Sequence, residues 1–257
     1  MLRSPATEDR FFVNPDFLNP AACDAAIIDL DGTMVDTLGD FVVALNLMLA
    51  DLLPPGFAVL DAATVGPMVG KGSEHLVVSV LNHVQAQAEI AQPAIDSIAD
   101  YSQAQARYQH HYAAVNGQHS TVYPGVLEGL RGLREAGLPL VCLTNKPAGF
   151  ARSLLRLKCL DGFFTGVFGG DSFERKEPDP LPLLKACEFL GPAPGRTLMI
   201  GDSSNDAQAA RAAGCPVLLV TYGYNHGQPV RQVDADGLVD SLAEIDLAKR
   251  ATGFRPR

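Results

Sequence analysis

The chain has 257 residues, with 20 lysines and arginines against 29 aspartates and glutamates, a net charge of −9. That length suits a main domain carrying a smaller second one, and an apolar fraction of 47% is enough for a sizeable core. The negative balance argues against nucleic acid and anionic membrane surfaces as partners, so an anionic small substrate must find positive charge locally, from a metal, a few lysines or helix N-termini.

Five cysteines, Cys23, Cys142, Cys159, Cys187 and Cys215, are odd in number, widely spaced and free of any Cys-x-x-Cys pair, which reads as reduced thiols. No apolar run approaches the length of a bilayer span. The cytoplasm is the expected location.

Residues 1–22, with Pro5, Pro15 and Pro20 and few periodic apolar positions, read as an N-terminal extension. Ala25 to Leu30 is an apolar run ending in carboxylates and a glycine, the pattern of a buried parallel strand reaching a site. Phe41, Leu45, Met48, Leu49 and Leu52 then repeat at helical spacing, as do Leu76, Val77, Val80, Leu81 and Val84. From Leu38 to Tyr123 the patterns are helical and no strand is expected, so residues 38–123 form a helical insertion.

After Tyr123-Pro124-Gly125 the pattern alternates. Helices are expected near Val126–Ala136, from Pro147, over Leu181–Leu190 and over Asp206–Ala213; strands are expected over Leu140–Thr144, near Val167, over Thr197–Ile200 and over Val217–Val220. Such alternation predicts an α/β fold, a doubly wound parallel sheet with helices on both faces. The core is assigned to residues 23–37 and 124–257, and the helical insertion after the first strand becomes a cap. Ligands in these folds bind at the carboxyl ends of strands. Three predicted strand ends carry polar clusters.

The first, Asp29-Leu30-Asp31-Gly32-Thr33, places two carboxylates two residues apart with a glycine for the sharp exit. One can attack phosphorus as an ionised carboxylate while the other moves protons. The second, Gly201-Asp202-Ser203-Ser204-Asn205-Asp206, supplies oxygen ligands of the kind Mg²⁺ prefers. Asp202, nearest the strand end, is the better ligand; Asp206 binds through water or holds another group. The third, Thr144-Asn145-Lys146-Pro147, can hold a phosphate through side-chain and backbone donors. Each segment alone would also fit a helix cap or a plain strand-to-helix turn.

Together these segments, with Lys176 in Arg175-Lys176-Glu177-Pro178-Asp179-Pro180, resemble the haloacid dehalogenase superfamily, whose four motifs occur in order between about Ala25 and Val220. The resemblance implies a Rossmann-like core, with Asp29 as nucleophile, Asp31 as acid and base, Thr144 and Asn145 on the phosphate, and Lys176 neutralising it. It implies Mg²⁺ held by Asp29, Asp202, Asp206 and the Asp31 carbonyl. Within the superfamily, Val122-Tyr123-Pro124-Gly125-Val126, Thr144-Asn145-Lys146-Pro147, the run Gly201 to Pro216 and Thr221-Tyr222-Gly223-Tyr224-Asn225 resemble bacterial phosphoglycolate phosphatases. The implied reaction is hydrolysis of 2-phosphoglycolate, a small anionic phosphate monoester, through an aspartyl-phosphate.

One departure stands out. Family members usually carry the motif lysine immediately before Pro-x-Pro, where this chain has Glu177, with Lys176 one position earlier. Lys176 is expected to reach the phosphate through a local shift of the loop. The alternatives are a phosphatase or phosphomutase for another small monoester, and a catalytically impaired phosphate-binding regulatory protein. In the insertion, Lys71 between Gly70 and Gly72 could meet the carboxylate of a small acid, or lie in a solvated loop. His110, His111 and His226 are expected on surfaces, and no histidine is assigned to the site.

Overall fold

The computed structural model describes residues 23–54, 59–91 and 101–245; the N-terminal extension read at 1–22 lies outside the described residues. In chain order the elements are β1 (Ala25–Ile28), β2 (Val35–Asp36), α1 (Leu38–Leu52), α2 (Ala62–Val65), α3 (Gly72–Ala91), α4 (Tyr101–Val115) and β3 (Thr121–Val122). Then come α5 (Val126–Glu135), β4 (Leu140–Leu143), α6 (Ala148–Leu157), β5 (Gly166–Phe168), α7 (Leu181–Leu190), β6 (Thr197–Gly201), α8 (Ser204–Ala213), β7 (Val217–Val220) and β8 (Gly237–Val239).

Six strands form one parallel sheet in the order β5-β4-β1-β6-β7-β8. This is the predicted doubly wound, Rossmann-like sheet. The chain builds outward from β1 on one side, then returns to build on the other, so the order reverses between β1 and β6, where such sheets open a crevice at their carboxyl ends.

Strand periodicity explains the two-sided core. Ala26 and Ile28 of β1 join Leu140, Cys142, Leu198 and Ile200 beneath Leu130 and Leu133 of α5 and Leu154 and Leu155 of α6. Ile27, one residue out of phase, joins Val141, Leu143 and Met199 beneath Leu183 and Ala186 of α7 and Ala207 and Ala210 of α8. Both faces are covered, so the strands read as apolar runs rather than as alternation.

Helices α1 to α4 lie between β2 and β3, which pair antiparallel, Val35 with Val122 and Asp36 with Thr121. They pack around a cluster of their own, with Phe41, Leu45 and Met48 of α1 against Val77 and Val80 of α3 and Tyr108 and Tyr112 of α4. The apolar stripes expected on α1 and α3 are the buried ones. β3 corrects the expectation of no strand before Tyr123; two residues are too few to show alternation. β8 is a second strand that three residues did not reveal. Among the described residues no helix is long and apolar enough to cross a membrane.

The return from α4 to the sheet is pinned from two sides. Asp40 of α1, fully buried, accepts hydrogen bonds from the Gly117 and His119 N–H groups, each at 2.7 Å. Lys158 Nζ donates to the Gly117 and Ser120 carbonyls at 2.8 and 2.6 Å. Removing the Asp40 acceptor strands a buried backbone donor, so Asp40→Ala is expected to destabilise the fold by about 2–3 kcal/mol, read as a lowered midpoint in urea unfolding.

Candidate active site

Asp29 follows β1 directly and its N–H donates to the Ile200 carbonyl at 2.9 Å. It is thereby held in the crevice between β1 and β6, with its side chain buried. The chain then turns through Gly32 at φ +88°, where a Cβ would stand 2.2 Å from Asp202 Oδ2. Only glycine fits that turn beside that carboxylate.

At the end of β6, Asp202 Oδ2 accepts from the Tyr224 N–H at 2.6 Å. Asp206, in the first turn of α8, accepts through Oδ2 from the Ser203 N–H at 2.9 Å and Ser203 Oγ at 2.7 Å. It closes a capping box, so the helix-cap reading of this segment holds alongside any ligand role. Gly201 permits the approach: a Cβ there would lie 2.3 Å from Asp206 Cγ.

These turns crowd acids together. One carboxylate oxygen each from Asp29, Glu177 and Asp206 lie within 4.8 Å of one another, and all three residues are buried. At an effective dielectric constant of about 20, two charges at such separation repel by roughly 3–4 kcal/mol. Asp29 is pushed well above the ordinary carboxylate range, first by burial, then by Asp206, Asp202, Glu177 and Asp31. Burial, then Asp206 and Asp202, raise Glu177; burial, then Asp206, raise Asp202. Burial also raises Asp206, against the Ser203 hydrogen bonds that lower it.

The donor set consists of hard oxygens, and Glu177 Oε1 is buried with no hydrogen-bond partner among the described residues. Such a cluster fits a divalent cation of the Mg²⁺ kind. Of the four metal positions expected from sequence, Asp29 and Asp206 belong to the tight group. Asp202 lines the same pocket with one oxygen committed to Tyr224, and the Asp31 side chain is engaged elsewhere.

Lys146 engages it. Its Nζ donates to both Asp31 oxygens at 2.7 and 2.8 Å and lies over the rings of Phe41 and Tyr112 at 4.7 and 5.0 Å from their centroids. The lysine side chain is only 2% exposed. Lys146 is the one lysine or arginine lining the pocket among the described residues. The sequence placed it in the right segment but gave the roles there to Thr144 and Asn145. Thr144 does line the pocket, buried at the end of β4.

Asn145 lines it too, yet its amide is already spent. Nδ2 donates to the Gly70 and Glu177 carbonyls, each at 3.1 Å, and Oδ1 accepts the Glu177 N–H at 3.1 Å. It clamps residue 177 by both backbone groups rather than presenting free donors to a phosphate.

That clamp decides which neighbour faces inward. Glu177 lines the pocket, whereas Lys176, expected to reach the phosphate, points out and pairs with Glu74 of α3 at 2.7 Å. The expected loop shift is therefore absent. Lys71 is exposed and outside the lining, although Gly70 and Gly72 on either side belong to it. His111 meets Asp51 near the surface. His226, expected on a surface, is half-buried, with Nε2 lacking a partner among the described residues, because the loop after β7 folds against Gly70.

A doubly wound sheet with acidic side chains gathered at its switch point defines an α/β enzyme whose site is built on strand ends. Residues 23–214 match the haloacid dehalogenase-like hydrolases, and the chain belongs to that family. The phosphoglycolate phosphatase of Thiobacillus denitrificans is 44% identical over 229 residues, covering 89% of this chain and 96% of that protein. The plasmid phosphoglycolate phosphatase of Cupriavidus necator is 42% identical over 223 residues, covering 87% and 91%. Among solved structures, a predicted phosphoglycolate phosphatase from Haemophilus somnus 129PT superposes with a TM-score of 0.79 at 30% identity, covering 87% of this chain and 96% of that one.

A carboxylate raised by burial favours the fold while protonated, below its unfolded value of about 4, and that stability is lost as the pH rises through its folded value. In EDTA, Glu177→Gln is therefore expected to be more stable than the wild type at neutral pH. The gap should narrow toward pH 4, as thermal melts across that range would show.

Proposed function

We propose that the chain hydrolyses 2-phosphoglycolate to glycolate and phosphate through an aspartyl-phosphate on Asp29. The observation that carries this reading is the convergence of Asp29, Asp31, Thr144 and Lys146 on one pocket at the switch point. The identity of 42–44% with phosphoglycolate phosphatases over most of both chains supports the substrate.

Asp29, Asp202, Asp206 and the Asp31 carbonyl would hold Mg²⁺, which would supply the positive charge that keeps Asp29 ionised and offsets the phosphoryl group. The chain's own groups do the rest. A carboxylate oxygen of Asp29 bonds to phosphorus as the phosphorus–oxygen bond to glycolate breaks, and the departing oxygen takes a proton that Asp31 acquires from solvent once Lys146 turns from it to the entering phosphate. Asp31 then removes a proton from water as that water attacks phosphorus, releasing phosphate and restoring the Asp29 carboxylate. Thr144 Oγ1 is positioned to donate to a phosphoryl oxygen. Lys146 fixes the direction of Asp31 in the free protein and is the ammonium an entering phosphate meets, the part expected of Lys176.

Residues 38–123 act as the cap over a core of 23–37 and 124–257. Support comes from the helices' own apolar cluster and from the pocket wall that Phe41, Tyr108 and Tyr112 give to the site. A cap of this kind excludes bulk water while Asp29 is being phosphorylated.

Turnover of 2-phosphoglycolate beside a panel of other monoesters tests the substrate. Binding of phosphate mimics with no turnover of any ester would favour the regulatory reading that Glu177 invites. Asp29→Asn should retain the fold by circular dichroism yet lose at least about a thousandfold in turnover. Lys176→Ala should stay within about twofold of wild type, since it removes only a partly exposed ion pair with Glu74; a large loss would return Lys176 to the site.

A further inference from the structure

The pocket holds a charge that the mechanism above does not use. Glu177 is 6% exposed, and its Oε1 has no hydrogen-bond partner among the described residues. Burying an ionised carboxylate without a partner is costly, and proteins retain such groups where a cation or a donor completes them. Among the described residues no neighbouring ammonium is available: Lys146 gives its Nζ to both oxygens of Asp31, and Lys176 is paired with Glu74.

The side chain is not there by chance packing. Asn145 grips the backbone of residue 177 at N–H and carbonyl, and Asn145 is tied in turn to the Gly70 carbonyl. The grip aims Glu177 at Asp29 and Asp206, whose carboxylate oxygens lie with its own inside 4.8 Å. For three points so spaced, some position lies within 4.8 Å divided by √3, about 2.8 Å, of all three. Shifts of about 0.7 Å bring the oxygens to the roughly 2.1 Å that Mg²⁺ requires.

We propose that Glu177 is a direct ligand of a divalent cation held jointly with Asp29 and Asp206. In this chain the cation stands where a lysine ammonium is expected from the family pattern. The ligand class is a hard divalent ion, Mg²⁺ or Mn²⁺, because every donor is a carboxylate oxygen. The inference deepens the cation-dependent reading of the same site, and its test reads binding rather than turnover.

The full chain is titrated with Mn²⁺ while free Mn²⁺ is followed by electron paramagnetic resonance, for wild type, Glu177→Gln and Glu174→Gln. The last removes an exposed carboxylate three residues earlier on the same loop and controls for charge alone. Glu177→Gln is expected to weaken Mn²⁺ binding by at least about tenfold and Glu174→Gln to leave it unchanged. With Eu³⁺ in place of Mn²⁺, luminescence lifetimes in H₂O and D₂O should count about one more bound water in Glu177→Gln, where solvent replaces the lost ligand. Glu177→Ala repeats both measurements should the glutamine variant fail to fold.

Equal Mn²⁺ affinity in wild type and Glu177→Gln, an unchanged water count, equal losses in both glutamine variants, or no Mn²⁺ binding at all would each overturn the proposal. Failure to hydrolyse 2-phosphoglycolate with the binding difference intact would overturn only the substrate reading. Intact hydrolysis without the binding difference would overturn only the role of Glu177.

Discussion

Mutual repulsion among buried carboxylates is the constraint around which this molecule is organised. Asp29, Asp202 and Asp206 are buried at the carboxyl ends of two central strands, and Glu177, on the loop between β5 and α7, is buried with them, in a medium where like charges are expensive to assemble. What keeps them there is backbone geometry supplied by the core. Asp29 is tied to Ile200, Asp202 to the Tyr224 N–H, Asp206 to its own helix cap, and Glu177 through the Asn145 clamp. The sheet's apolar packing thus holds in place an electrostatic arrangement that the side chains alone would disperse. A bound cation would convert that arrangement from a cost into a binding site.

The helical segment is coupled to the same place. Gly70 offers its carbonyl to Asn145 and to Asn205 Nδ2, both at 3.1 Å, so two of the three polar strand ends meet the helical segment at one atom. Tyr224 makes a second link: its backbone N–H holds Asp202 while its hydroxyl accepts from the Thr37 and Leu38 N–H groups at 2.7 and 3.0 Å, where α1 begins. Tyr224 sits where the chain enters the segment, and the Gly70 bonds lie at its far side. Through Asn145, which holds Gly70 and Glu177 together, the placement of the helical segment is tied to the alignment of the acidic site.

Much of this was legible in the sequence, for physical reasons. α7 and β7 fall on the predicted residues because their apolar runs are bounded by proline, glycine or polar turns, and the acidic motifs were visible because parallel strands end where ligands bind. β2, β3 and β8 escaped notice because two or three residues carry no measurable period. At the site, the segments were right and the choice within segments was not always so. Lys146 faces the pocket beside Asn145, and Glu177 faces it instead of Lys176. Adjacent residues project in different directions, and which one turns inward depends on tertiary contacts, here the bonds from Asn145 to residue 177. No feature of Arg175-Lys176-Glu177-Pro178 by itself reports those bonds.

The departure at position 177 also has a charge logic. Replacing an expected lysine by glutamate moves the pocket by two units of negative charge, the charge of one divalent cation. The remaining lysine, Lys146, is buried against Phe41 and Tyr112 and bound to Asp31, so it balances one carboxylate and leaves the rest. A phosphate dianion entering such a pocket would be repelled by every uncompensated acid. In a chain whose net charge is already −9, the wider surface offers no corrective field. Protons on the raised carboxyl groups can offset part of that charge, and a cation bound beside Asp29 and Glu177 would lower the repulsion that an entering phosphate ester meets.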